Sequence, residues 1–313
     1  MRIHPYYRAL PRRFRRPTLL IVGCGDVGQR LAAQLVERHR ADRIRLIGVV
    51  RSQASAEQLR NAGIKTLVAD LAHRSSARRL SALAEWMAML APPPNSGSRD
   101  THSQKLLAAL AQKRLTQVAR DTTRRWTYVS TTGVYGDTAG ARFDETRPIA
   151  PASARAIRRA DAELQFRHAA RSGSAHVAIV RSPGIYAQNR LPLERLRDGM
   201  PALHAEHDVY TNRIHADDLA HACWLALFRG RTSRIYHAVD DSDLKMGDYF
   251  DMVADAFNLP RPPRVSRDEL RTLVTPMMLS FMSESRRLLN RRLHQELRCR
   301  LRYPDVTATL AAC

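Results

Sequence analysis

Thr18-Leu19-Leu20-Ile21-Val22 runs without a break into Gly23-Cys24-Gly25-Asp26-Val27-Gly28 and then into Gln29-Arg30-Leu31-Ala32-Ala33-Gln34-Leu35-Val36. The first five residues read as a buried strand, and Leu31, Leu35 and Val36 recur at helical spacing. A Gly-x-Gly-x-x-Gly turn between a strand and a helix has a specific physical use. Gly23 permits the tight turn, Gly25 lets the backbone approach a pyrophosphate, and Gly28 lets helix and strand pack closely. The helix start supplies free N–H donors and the positive end of the helix dipole to an anion. The plain alternative, a glycine turn without a ligand, leaves the joint presence of strand, spacing and helix unexplained. Asp26 and Val27 complete the turn as cofactor-binding candidates.

Working outward, the next strand ends Val49-Val50-Arg51-Ser52. An acidic residue there would hold the two ribose hydroxyls of NAD, whereas arginine suits a 2′-phosphate, so the expectation tilts to NADP with NAD as the alternative. Asp70-Leu71 follows a third strand and is placed for the adenine edge, although such an aspartate can equally cap a helix. Ala91-Pro92-Pro93 after the fourth strand and Pro183 after a later one complete the expected cofactor lining.

Strands are expected at 18–22, 44–50, 65–69, 86–90, 126–131, 175–181 and 234–239, and helices at 26–39, 54–61, 76–83, 101–120, 153–171 and 216–229. This alternation predicts an α/β fold, a Rossmann-type doubly wound parallel sheet, with a smaller C-terminal substrate-binding lobe. Residues 1–17 read as a disordered basic extension. Residues 18–183 with 234–258 form the dinucleotide-binding part, and 184–233 with 259–313 form the smaller lobe. The long interruptions after the fourth and fifth strands fall at carboxyl ends, where open α/β sheets bind ligands.

The formal charge of +21 invites a nucleic-acid reading. Yet the only lysines are Lys65, Lys105, Lys113 and Lys245, so 47 of the 51 basic residues are arginine and they are scattered along the chain. Neither a recognition motif nor interleaved aromatics accompany them, so no specific nucleic-acid partner is expected. Arg286 to Arg302 alternates arginine with Leu288, Leu289, Leu293, Leu297 and Leu301, which predicts one amphipathic helix. No apolar run is long enough for a membrane span. The four cysteines show no paired spacing, which argues against a cysteine metal centre and leaves the cytoplasm as the default. His215 with Asp217 and Asp218 is the one tight His/Asp cluster, and it reads as a helix cap with a packed histidine, so no metal is expected.

The glycine turn, Val129-Ser130-Thr131-Thr132-Gly133-Val134-Tyr135-Gly136, Asp144-Glu145-Thr146-Arg147-Pro148, Val180-Arg181-Ser182-Pro183-Gly184-Ile185-Tyr186 and Ile214-His215-Ala216-Asp217-Asp218-Leu219-Ala220 together resemble the NAD-dependent epimerase/dehydratase family of extended short-chain dehydrogenase/reductases. The match covers nearly everything after residue 17. The resemblance implies hydride transfer with a nicotinamide cofactor, with Thr131 hydrogen-bonding the reacting oxygen and Tyr135 structural. The family's Tyr-x-x-x-Lys proton-transfer motif is missing. Arg155 stands where the tyrosine would be and Arg159 where the lysine would be, and no tyrosine or lysine occurs between Tyr135 and Tyr186. A guanidinium stays protonated, so it polarises a carbonyl or binds an anion but shuttles protons poorly. Thr132 and Gly133 replace the acidic pair of the nucleotide-sugar dehydratases, which disfavours dehydration.

Tyr186, Tyr210 and His215 are the substitute proton donors to consider, each more often a packing residue. Arg190, Asn212 and Arg213, with Arg195, are the candidates to line a substrate crevice and would favour an anionic small molecule. Two functions remain open: an NAD(P)-dependent oxidoreductase or epimerase acting on a sugar, nucleotide-sugar or small carbonyl compound, and a weakly catalytic NADP(H)-binding sensor. Members of the family that the chain resembles often dimerise through a helix pair, which the resemblance would place at 101–120 and 153–171.

Overall fold

The computed structural model describes residues 16–38, 43–116, 124–275, 278–279 and 282–311. The expected basic extension therefore lies almost wholly outside the described residues. Strand β1 (Thr18–Val22) is followed in chain order by α1 (Asp26–Glu37), β2 (Arg45–Val50), α2 (Gln53–Asn61), β3 (Thr66–Val68), α3 (Arg74–Ser81), β4 (Trp86–Met89), α4 (Thr101–Thr116), β5 (Arg125–Thr131), β6 (Arg142–Phe143), α5 (Ala154–Arg171) and β7 (His176–Ser182). Then come β8 (Gly184–Tyr186), α6 (Leu193–Arg197), β9 (Ala202–Leu203), β10 (Arg213–His215), α7 (Ala216–Arg229), β11 (Ile235–His237), α8 (Met246–Ala256), β12 (Arg264–Val265), α9 (Arg267–Leu273) and β13 (Arg287–Leu288).

Seven of these strands form one parallel sheet in the order β11-β7-β5-β4-β1-β2-β3. Its strands are mostly apolar because both faces are covered. Side chains alternate, so Leu19 and Ile21 join Val129, Val180 and the apolar residues of α1 and α7 on one face. Leu20 and Val22 join Met87, Met89, Trp126, Tyr128 and residues of α4 and α5 on the other. All seven carboxyl ends point the same way, and the turns that follow them share one edge.

The smaller lobe is built from two-stranded ladders, β8 with β10 and β9 with β12, around a core of Tyr186, Leu196, Ala202, Tyr249, Phe250 and Val253. Two helices change sides relative to the sequence reading. Helix α7, assigned above to the smaller lobe, is buried on nearly every face against α1 and the main sheet, with Leu219 to Leu227 in the main core. Helix α8, assigned to the dinucleotide-binding part, places Tyr249, Phe250 and Val253 in the core of the smaller lobe.

The single helix expected over 286–302 is also corrected. Residues 287–288 pair as β13 with β6, a short helix spans Arg291–Gln295, and Arg298 takes a left-handed φ of 51°. The leucine pattern is satisfied differently: Leu288 packs with Tyr135 and Phe143, while Leu293 and Leu297 enter the main core.

Candidate active site

At the carboxyl end of β1 the turn is made by a left-handed Gly23 with φ 82°. Its N–H and that of Cys24 both donate to the Val49 carbonyl at 3.0 Å. A Cβ on Gly23 would lie 2.5 Å from the Ala91 nitrogen, so side chain and loop cannot coexist. A Cβ on Gly28 would lie 2.9 Å from Ile21 Cγ2, which measures how closely α1 packs on β1. Gly25 differs, since a Cβ there would meet nothing within 4 Å and the backbone is extended. Gly25 caps α1 without a side-chain hydrogen bond, which leaves first-turn N–H donors facing this open space. An anionic diphosphate fits that cradle.

Charged side chains close one side of it. Asp26 accepts from Arg30 Nε at 3.0 Å and from Arg190 Nη1 at 3.1 Å. Burial pushes its carboxyl up, but those two guanidiniums outweigh it and hold it below the usual aspartate range. Arg30 also donates to Asp217 Oδ1 at 2.8 Å and Asn189 Oδ1 at 2.9 Å, tying α1 to α7 and to the segment before α6. Arg190, expected in the substrate crevice, thus stands at the glycine turn.

Arg51 and Ser52 are exposed at the end of β2, and the Ser52 hydroxyl accepts from the Ser55 N–H as the cap of α2. Asp70 is turned onto its own backbone, accepting from the Ala72 N–H at 2.9 Å. Leu71 is buried in the core. Ala91 lies against Gly23, Pro92 is exposed, Pro93 is buried, and Pro183 follows the end of β7.

Thr131 ends β5 beside Ser182 of β7, and its Oγ1 accepts from the Gly133 N–H at 3.2 Å. That bond uses the oxygen as an acceptor and does not engage the hydroxyl proton. Arg159 donates from Nη1 to the Val129 carbonyl at 2.7 Å and to the Tyr128 hydroxyl at 3.2 Å. Arg155 lies one turn earlier on α5, and the charged groups bearing on it are Arg159, Glu284 and Arg286. Arg286 donates to the Gly136 carbonyl at 2.7 Å and pairs with Glu284 at 2.5 Å. Glu284 and Arg286 escaped the sequence reading as site residues because no local motif surrounds them and only the chain's return along residues 136–140 brings them here.

Other motif residues are structural. The Arg181 guanidinium pairs doubly with Glu163, at 2.9 and 2.6 Å, with both side chains buried. It also lies 4.6 Å from the Tyr135 ring centre, and the Tyr135 hydroxyl meets His237 Nε2 at 2.6 Å. Glu145 accepts from the His237 N–H at 3.0 Å. Burial lowers the His237 pKa to about 3, so its ring is neutral at ordinary pH.

The substrate-lining expectations for Asn212 and Arg213 need correction. Asn212 Oδ1 accepts from the Leu288 N–H at 3.1 Å, and Arg213 donates to the Thr211 carbonyl while stacking 4.0 Å from the Tyr249 ring centre. Both are buried, at 9% and 6% exposure, and brace the lobe from inside. Arg195 likewise lies over Phe250 and donates to the Pro201 carbonyl. Tyr186 is buried, which pushes its pKa up, and Tyr210 is flanked by Arg287 and Lys245. His215, not Asp217 or Asp218, caps α7: its Nδ1 accepts from the Asp217 N–H, it stacks on Tyr303, and burial lowers its pKa to about 4. Asp218 instead accepts from the N–H groups of Arg302 and Tyr303. Among the described residues no group of three His, Cys, Asp or Glu is placed to hold a metal, and no helix is long and apolar enough to cross a membrane.

A family model described as the NAD dependent epimerase/dehydratase family matches residues 19–239. The chain belongs to that family. A functionally unknown conserved protein from Silicibacter pomeroyi is similar over 95% of this chain and 97% of its own, at 29% identity and a TM-score of 0.77. The dTDP-glucose 4,6-dehydratase of Streptomyces venezuelae, solved with NAD and TYD bound, is 19% identical with a TM-score of 0.75, covering 94% of this chain and 95% of that one. A nucleoside-diphosphate-sugar epimerase of Pseudomonas aeruginosa is 18% identical with a TM-score of 0.75, covering 95% and 96%. These last two share the fold. No curated protein matches by sequence. Family membership brings a nicotinamide cofactor with it, and the open cradle over Gly25 is the feature of this chain that suits one.

Proposed function

We propose that the chain is an NAD(P)-dependent oxidoreductase or epimerase-like enzyme acting by hydride transfer on a sugar, nucleotide-sugar or small carbonyl compound. The observation that carries this reading is the open space over Gly25, bounded by a Gly23 and a Gly28 that tolerate no side chain. Gly25, Asp26, Val27 and the first-turn N–H groups of α1 hold the pyrophosphate, with Arg190 and Arg30 beside it. Arg51 and Ser52 take the 2′-phosphate of NADP, NAD being the weaker ligand. Asp70, Ala91, Pro92 and Pro183 border the adenosine and nicotinamide ends. When bound, the nicotinamide supplies the hydride acceptor or donor.

Thr131 donates its hydroxyl proton to the reacting oxygen, and its fixed bond from Gly133 N–H sets the direction. Arg159 holds the end of β5 through the Val129 carbonyl, and Arg155 polarises a carbonyl without titrating. The buried, unpaired thiols Cys24, Cys223 and Cys299 support a reducing cytoplasm. Exposed Ile157 and Leu164 on α5 support a homodimer across α4 and α5.

One feature of the sequence supports the NADP(H)-sensor reading: no tyrosine or lysine lies between Tyr135 and Tyr186, and the family resemblance puts Arg155 and Arg159 at the proton-transfer positions. Turnover separates the two. Purified protein with NADPH and a panel of sugars, nucleotide-sugars and small ketones should consume cofactor, and Thr131→Ala should lower kcat about 100-fold while NADPH affinity stays within twofold. Tight NADPH binding with no consumption across the panel would leave the sensor reading standing alone.

A further inference from the structure

Asp26 puts a carboxylate on the first residue of α1, at the mouth of a cradle that suits an anion. There it complements the helix dipole but opposes a diphosphate, so its charge needs compensation. Two guanidiniums supply it, one on each oxygen: Arg30 Nε to Oδ1 at 3.0 Å and Arg190 Nη1 to Oδ2 at 3.1 Å. The two are held differently. Arg30 also donates to Asp217 Oδ1 and Asn189 Oδ1, so all three of its nitrogens are engaged, and its side chain is only 23% exposed. Arg190 meets Asp26 through one nitrogen, and its side chain is 38% exposed. The backbone that carries it is fixed beside the turn, by Asn189 accepting from Arg30 and by the Arg190 N–H on the Ala187 carbonyl at 2.8 Å. Turning Arg190 away from Asp26 therefore needs a side-chain rotation and no movement of the loop.

We infer that Arg190 is a ligand of the cofactor's diphosphate held in reserve by Asp26: when a dinucleotide enters the cradle, the guanidinium passes from the carboxylate to the phosphates. This rests on the reading of the glycine turn as the cofactor site. An ion pair this open to water contributes little, whereas the planar fork of a guanidinium meets a phosphate through two parallel hydrogen bonds. Arg30 stays on Asp26 and keeps the carboxylate compensated after the exchange. The exchange still has a cost, because Asp26 competes with the phosphates for the same guanidinium. Arg190 acts on the part that NADPH and NADH share, unlike Arg51, whose proposed ligand is the 2′-phosphate.

A double-mutant cycle on the full-length protein tests this, with the wild type, Asp26→Asn, Arg190→Gln and the two combined titrated with NADPH and with NADH by cofactor fluorescence. Arg190→Gln in the wild-type background should weaken both cofactors about fivefold. Asp26→Asn removes the competitor and should tighten both about threefold. In the Asp26→Asn background the Arg190→Gln change should cost about threefold more than it does in the wild type, since the released guanidinium no longer has a carboxylate to return to. A smaller or an unchanged cost overturns the exchange: in the first case Arg190 only screens Asp26, and in the second the two residues act independently. A wild type that binds neither cofactor removes the cofactor reading and this ligand with it, whereas intact binding with the wrong coupling removes the ligand alone.

Discussion

The two ends of the crevice are built from different chemistry. At the β1 end the working groups are backbone: glycines that leave room and N–H donors that point into it. At the β5 end they are side chains: the Thr131 hydroxyl, and Arg159 on the Val129 carbonyl. Backbone chemistry has few solutions, because only glycine fits a φ of 82° with a neighbour 2.5 Å from its missing Cβ. Side-chain chemistry can be exchanged on the same scaffold, so residue types constrain the reacting end less tightly than the glycines constrain the turn.

Gly23 and Gly25 break the comparison most sharply, because two glycines of one turn should fail in opposite ways. Gly23→Ala should destabilise the fold by more than about 1 kcal/mol, through both the left-handed φ and the contact with Ala91. A Cβ at Gly25 meets no atom within 4 Å and an aspartate there supplies a side-chain N-cap for α1, so thermal stability of Gly25→Asp should hold or rise slightly. The same carboxylate occupies the pyrophosphate cradle, so NADPH affinity should drop at least ~100-fold, about 2.7 kcal/mol. Undiminished NADPH binding by Gly25→Asp would remove the cradle from the cofactor site.

The same contrast governs what could be read in advance. The seven strands of the sheet and the six helices expected with them were legible because each carries one period, two for a strand and 3.6 for a helix, and both sheet faces needed apolar cover. The allegiance of α7 and α8 was not, since helical spacing says that a face is buried but not against which lobe. Residues 286–302 misled because leucines at helical spacing can also be buried by a β-bridge and a short helix, a choice made by β6 across the chain. Arg213 misled because a charge pattern cannot reveal that a guanidinium is buried by stacking on Tyr249. Glu284 had no local signature, and Arg286 was read only as the start of the leucine pattern over 286–302.

Arg51 sharpens the cofactor half with a smaller effect. Its side chain is exposed at the end of β2, so removing it leaves no cavity. Arg51→Ala should weaken NADPH binding about tenfold, as expected for one charge-assisted hydrogen bond, and leave NADH within about twofold. Parallel fluorescence titrations decide it. Equal losses for both cofactors would assign Arg51 to the shared part of the dinucleotide and leave the 2′-phosphate without a partner.

The pH dependence of stability probes the other half, where Asp240 lies buried between Arg213 and the smaller lobe. Burial raises its pKa to about 7, only partly countered by hydrogen bonds from Ser242 and by Arg213. A carboxyl whose folded pKa exceeds its unfolded value contributes stability that is complete below about pH 4 and lost as pH rises through 7. His215 and His237 act oppositely: with folded pKa values of about 4 and about 3, their contribution is present above about 6.5 and lost as pH falls toward those values. Between pH 4 and 6.5 the two effects offset each other in the wild type. Asp240→Asn removes one of them, so the variant's melting temperature should climb more steeply over that range, and the variant should gain on the wild type up to about pH 7. Both curves should then run parallel above it. A constant difference from pH 4 to 8 would mean that Asp240 holds the same charge throughout, and that Arg213 is neutralised by it in the folded lobe instead of being carried by stacking alone.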